Sequence, residues 1–129
     1  MRTVSKTVIG VDFGTQSARA VLVNAENGEI IYSCRKEYPY NSTPVPAIDC
    51  AENLPCATDY EMTLYELLRN VIPEEYRKTV AGICIDATSL TMVLLAEDGR
   101  ALSELDGWSE AAHARVKLWK YHRAQEKGD

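Results

Sequence analysis

The 129-residue chain has no apolar run long enough to cross a bilayer. A secretory leader is not expected either: in "MRTVSKTVIGVDFG" Asp12 interrupts the apolar run early, and no small-residue cleavage site follows. Both absences point to the cytoplasm. Positive charge is not in excess, since 14 Lys and Arg against 19 Asp and Glu leave a net charge of −5. That balance argues against a nucleic-acid backbone or an anionic membrane as partner. No C-x-x-C pair occurs among Cys34, Cys50, Cys56 and Cys84, and His113 and His122 lie far from any cysteine pair. A zinc site is therefore not expected, and the cysteines read as reduced thiols. Walker A, G-x-G-x-x-G and Ser-His-Asp patterns are absent, as are internal repeats and low-complexity tracts.

What remains is an ordinary globular composition, 46% hydrophobic and 26% charged, at a length that suits one domain with a real core. Thr7 to Phe13 is β-branched and aromatic, hence a strand. Ser17 to Asn24 predicts a second strand, apolar on both faces, and Asn27-Gly28 is a strong hairpin signal before a third strand, Glu29 to Tyr38. The chain thus opens as an antiparallel β-β-β meander. Residues 39–57 hold four of the five prolines and read as a long loop. Thr58 is the expected N-cap of a helix, in a capping box with Glu61. Leu64, Leu67, Leu68 and Val71 form its buried stripe, and Pro73 ends it. "PEEYRK" follows as a polar connection. Val80 to Ala87 is a nearly continuous apolar run, the pattern of a central parallel strand, and the preceding helix supplies the crossover it needs. "TMVLLAEDGRAL" predicts a further strand and an Asp98-Gly99 turn, and Ser109 to about Lys127 predicts an amphipathic helix.

Three segments can carry chemistry. In "DFGTQS" a strand ends in Asp-x-Gly, and hydroxyls follow before the next strand. Gly14 permits close approach of a ligand to the backbone. Turn N–H groups with the Thr15 and Ser17 hydroxyls can donate to phosphate oxygens, Asp12 can hold Mg²⁺, and Arg19 adds positive charge. The plainer reading is a polar hairpin turn. "DATSLT", residues 86–91, places Thr88, Ser89 and Thr91 at the carboxyl end of the parallel strand, where ligands bind; the alternative is a turn whose hydroxyls satisfy the local backbone. In "VKLWKYH", Trp119 with Lys117, Lys120 and His122 reads best as an inward-packing tryptophan with lysines outside.

Taken together these residues resemble the FGGY carbohydrate kinases. "IGVDFGTQSARAVLV" is similar to their first phosphate motif, matching at Asp12, Gly14, Thr15, Ser17, Arg19 and Ala20. "GICIDATSLTMVLLAEDGRAL" and "HARVKLWKYHRAQ" resemble ribulokinase segments more narrowly. The resemblance implies an α/β, ribonuclease H-like domain of the actin/hexokinase/Hsp70 ATPase type, truncated, on the sugar-binding side. It implies ATP- and Mg²⁺-dependent phosphoryl transfer to a hydroxyl of a ketopentose, with L-ribulose as the expected sugar. Asp12 would then lie at the metal, Gly14, Thr15, Gln16 and Ser17 at the ATP phosphates with Arg19 beside them, and Thr88 and Ser89 on the sugar side. The chain departs from the ribulokinase pattern after Asp86, where Ala87-Thr88-Ser89-Leu90 replaces an expected Phe-Thr-Ala-Cys.

Kinases of this family are several times longer. Their proton-accepting aspartate, second phosphate motif and adenosine pocket come from later segments, so this chain is expected to hold no catalytic residue and to be inactive alone. A truncated domain exposes an edge or an apolar patch, and self-association is expected. A non-kinase actin-like nucleotide-binding module and a ligand-free domain are the competing readings.

Overall fold

A computed structural model of the chain describes residues 4–39, 55–109 and 111–118. Strands β1 (Thr7–Phe13), β2 (Ser17–Asn24) and β3 (Ile30–Glu37) precede helix α1 (Ala57–Val71), and β4 (Val80–Ala87) follows it. The sheet order is β3-β2-β1-β4. β1 with β2 and β2 with β3 pair antiparallel, and β4 pairs parallel to β1. Gly28 turns the β2–β3 connection at φ +76°, a conformation that glycine adopts without strain. The contacts divide the chain into two compact units. The first joins Met1–Tyr38 to Glu61–Ala87, and the second joins Pro39–Tyr60 to Thr88–Asp129.

The core of the first unit lies on one face of the sheet. Ile9, Val11 and Phe13 of β1 and Ala18, Ala20 and Leu22 of β2 are buried there, with Leu67 and Val71 of α1. Side chains of β3 identify α1 as the cover: Lys36 Nζ pairs with Glu66 at 2.6 Å, and the Cys34 thiol lies 3.6 Å from the Leu67 carbonyl oxygen. Burial raises the Cys34 pKa above the ordinary thiol value. β2 was expected to be apolar-buried on both faces. Instead only its even-numbered residues are fully buried, because α1 covers one side and Arg19 on the other is exposed. β4 keeps its parallel pairing but is an edge strand among the described residues, with Ala81 to Ala87 exposed.

Local detail departs from the sequence expectations at three places. Helix α1 starts two residues earlier than a Thr58 cap allows. Cys56 stands at the N-cap position, its N–H donates to Asp59 Oδ2 at 2.7 Å, and Thr58 Oγ1 bonds Glu104 at 3.1 Å instead. The expected strand in "TMVLLAEDGRAL" is reduced to isolated bridges, Leu95 with Ala101 and Met92 with Lys117, around a turn in which Gly99 has φ +85°. Residues 111–118 are not one α-helix. A single 3₁₀ turn at Ala112–Ala114 gives way to extended chain, because the Lys117 backbone pairs with Met92 through two bonds of 2.9 and 3.0 Å. The rest of that predicted helix, with Trp119, Lys120 and His122, lies outside the described residues, as do Cys50 and most of the Pro-rich loop. None of the described helices is long and apolar enough to cross a membrane.

Candidate functional site

The β1–β2 connection is tight. The Gly14 N–H donates to the Ser17 carbonyl at 3.0 Å, closing the hairpin. A Cβ on Gly14 would sit 3.0 Å from that same carbonyl oxygen, so a side chain there would crowd the turn. Tyr38, just past β3, braces the loop from behind. Its N–H donates to the Gln16 carbonyl at 3.2 Å and its hydroxyl to the Gly14 carbonyl at 2.9 Å. Gln16 is exposed at the turn, and Thr15 and Ser17 are half-buried. Among the described residues no hydrogen bond is recorded for the Thr15 amide or hydroxyl.

The sheet face away from α1 carries the charge. The register sets Asp12 beside Asp86 of β4 on one side and beside Arg19 of β2 on the other. Arg19 is in turn opposite Arg35 of β3. Directly paired residues share a face, so one rung reads Asp86, Asp12, Arg19, Arg35 across four strands. An open depression of about 310 Å³ lies on this face, lined by Gly10, Asp12, Arg19, Val21, Cys84 and Asp86. Gly10 keeps the floor low, since a Cβ there would press on Val21 Cγ2 at 3.2 Å. Arg35 Nε donates to Ser17 Oγ at 2.9 Å, and its Nη2 lies 3.8 Å from Glu37.

The structure thus brings Asp12, Gly14, Thr15, Gln16, Ser17 and Arg19 to one end of one sheet. Thr88 and Ser89 belong to the second unit. The Thr88 hydroxyl lies 2.8 Å from that of Thr91, and Thr91 Oγ1 also donates to the Thr88 carbonyl at 2.8 Å. Leu90 between them sits at φ +58°, a left-handed conformation that costs a leucine energy. This turn is a satisfied local hydroxyl network, with Ser89 exposed at its tip.

No family model matches the chain. The curated relatives are informative. Ribulokinase 1 of Staphylococcus saprophyticus is 40% identical over 124 residues, covering 92% of this chain and 23% of that protein. The ribulokinase of Halalkalibacterium halodurans is 31% identical over 133 residues, covering 97% of this chain and 24% of its own. The chain is of the FGGY ribulokinase type. It spans about a quarter of the length of these ribulokinases. Among solved structures, a xylulose kinase from Lactobacillus acidophilus matches with a TM-score of 0.51 at 21% identity, over 74% of this chain and 18% of that one. A gluconate kinase from the same organism gives the same values. These likenesses establish a fold shared with sugar kinases, a mixed sheet with a helix.

In this ribulokinase-like chain no local sequence signal ties Tyr38 and Arg35 to the loop. Both sit in the third strand region, some twenty residues from the loop they serve. Only the β2–β3 register brings them there, and the sequence marks that register with nothing stronger than the Asn27-Gly28 turn.

Proposed function

We propose that this chain is the N-terminal, phosphate-loop portion of an ATP-dependent sugar kinase with a ribonuclease H-like fold, and that its sugar is a ketopentose, L-ribulose first. The observation that carries the reading is the braced Gly14–Ser17 hairpin with Asp12 and Arg19 at its base. The residues fit the ligand they are asked to hold. A Cβ on Gly14 would crowd the Ser17 carbonyl, the Thr15 groups have no recorded partner among the described residues, and Asp12 is exposed beside a depression. Gly14, Thr15, Gln16, Ser17 and Arg19 would take the phosphates, and Asp12 the Mg²⁺ through its water shell. Bound MgATP supplies the phosphoryl group and the cation that neutralises its charge. Thr88 and Ser89 are the candidates for the sugar side. Ser89 is the better placed of the two, because the Thr88 hydroxyl already has Thr91 as partner.

The chain alone is inactive on this reading, because phosphoryl transfer requires both reactants positioned in a closed cleft. Titrating MgATP into wild type and Asp12→Ala tests the site: saturable binding by wild type, weakened at least tenfold in the variant, is expected. Equal behaviour of the two would end the assignment of Asp12. Self-association is supported by β4, an edge strand among the described residues, whose Ile83 and Ile85 are 51% and 56% exposed. Light scattering that stays monomeric at high concentration would count against it.

A further inference from the structure

Ser17 is not a free hydroxyl. A serine oxygen has one proton to give and two lone pairs to receive. Arg35 Nε fills one lone pair at 2.9 Å, and a guanidinium has no acceptor to offer in return. The Ser17 proton must therefore find its acceptor elsewhere, and among the described residues no acceptor for it is recorded. A hydroxyl held in this way meets an incoming ligand as a donor, and the adjacent cation strengthens that donation. Its natural counterpart is an anionic oxygen.

The surrounding charge points the same way. Arg19 lies opposite Arg35 on the same face, so two guanidinium groups flank the end of the hairpin on adjacent strands. Glu37, the carboxylate paired with Arg35 among the described residues, is 3.8 Å away and 79% exposed, too loose and too wet to neutralise it. On the other half of the rung Asp12 and Asp86 supply negative charge. At the usual spacing between strands the four-residue rung extends about 14 Å. It is ordered acid, acid, base, base, suited to an extended polyphosphate whose divalent cation sits at one end. We propose that Arg35 is a positioning residue for the phosphate chain, fixing the Ser17 hydroxyl as a donor to a phosphate oxygen. This deepens, and rests on, the phosphate-loop reading above.

The test uses the 129-residue chain with two probes, MgATP and inorganic tripolyphosphate with Mg²⁺, followed by calorimetry at fixed salt. Arg35→Gln and Ser17→Ala are each expected to weaken both probes about tenfold, the effect of one charge-assisted hydrogen bond. The double variant is expected to be no weaker than Ser17→Ala alone, because Arg35 acts through that hydroxyl. Arg35→Lys keeps the charge without the planar fork and is expected to recover part of the loss. Unfolding midpoints of the variants should match wild type, which separates positioning from a structural role. Binding by Arg35→Gln within twofold of wild type, or full additivity in the double variant, overturns the Arg35 assignment while leaving the phosphate loop standing. Failure of wild type to bind either probe overturns the phosphate-loop reading and Arg35 with it.

Discussion

The two faces of this sheet are built from alternate residues of the same strands, and they have opposite characters. On the covered face β1 and β2 contribute Ile9, Val11, Phe13, Ala18, Ala20 and Leu22, all buried on the side where β3 meets α1. On the other face the same strands contribute Gly10, Asp12, Arg19 and Val21, around an open depression. The first face is selected for filling space and the second for leaving it. A glycine at position 10 has little use in a core, whereas it is what allows a hollow to form beside Asp12. The period of two in a strand lets seven residues serve stability and ligand at once.

The largest predicted effect uses this alternation. Leu22→Ala removes a side chain with no solvent exposure and is expected to cost about 2–5 kcal/mol. Val21→Ala, one residue away on the open face, should cost about 1 kcal/mol or less. Urea denaturation measures both, and equal costs would erase the distinction between the faces. A smaller effect is expected at Tyr38→Phe, which deletes the hydroxyl that holds the Gly14 carbonyl. A loss of about 1 kcal/mol is predicted, accompanied by weaker MgATP binding because the loop loses its brace. Unchanged ATP affinity in a destabilised Tyr38→Phe chain would make the brace purely structural.

The smallest effect leaves the fold intact. Cys34 faces α1 and Cys84 lies on the open side. Burial raises the Cys34 pKa, so at pH 8 it holds less reactive thiolate than an exposed cysteine. Peptide mapping after iodoacetamide treatment should find Cys84 labelled first. Cys34 labelling should gain on it as pH rises, since deprotonation of the buried thiol is only deferred. Equal rates at pH 8 would mean that α1 does not shield its side of the sheet.

Much of the first unit was legible in the sequence because each signal was local. β-branched runs gave the strands, the Leu64 to Val71 spacing gave the helix, though of its four stripe residues Leu67 and Val71 are buried and Leu64 and Leu68 half-buried, and the crossover length required a parallel fourth strand. "DFGTQS" was legible as a candidate because its groups are contiguous. The residues that complete the site were not. Tyr38 and Arg35 reach the loop through pairing across β2 and β3, and Asp86 joins Asp12 only through parallel register. Errors concentrated where local preference lost to a longer-range partner. "HARVKL" has helical periodicity, yet Lys117 pairs with Met92 and Val116 donates its N–H to the Pro55 carbonyl at 3.1 Å. The Thr58 capping box failed for a related reason: Asp59 sits three residues after Cys56 and can reach back to it, freeing Thr58 for Glu104.

The central claim is that the open, charged end of the sheet receives a nucleotide's phosphates. Titrating MgATP into ¹⁵N-labelled chain and following the backbone amides tests it most directly. Saturable shifts are predicted at Gly14 to Ser17, with smaller ones at Asp12, Arg19 and Arg35, and none along Leu67 to Val71 of α1 on the other side of the sheet. Saturable binding that leaves the Gly14 to Ser17 amides unmoved, or no binding at all, would contradict the account.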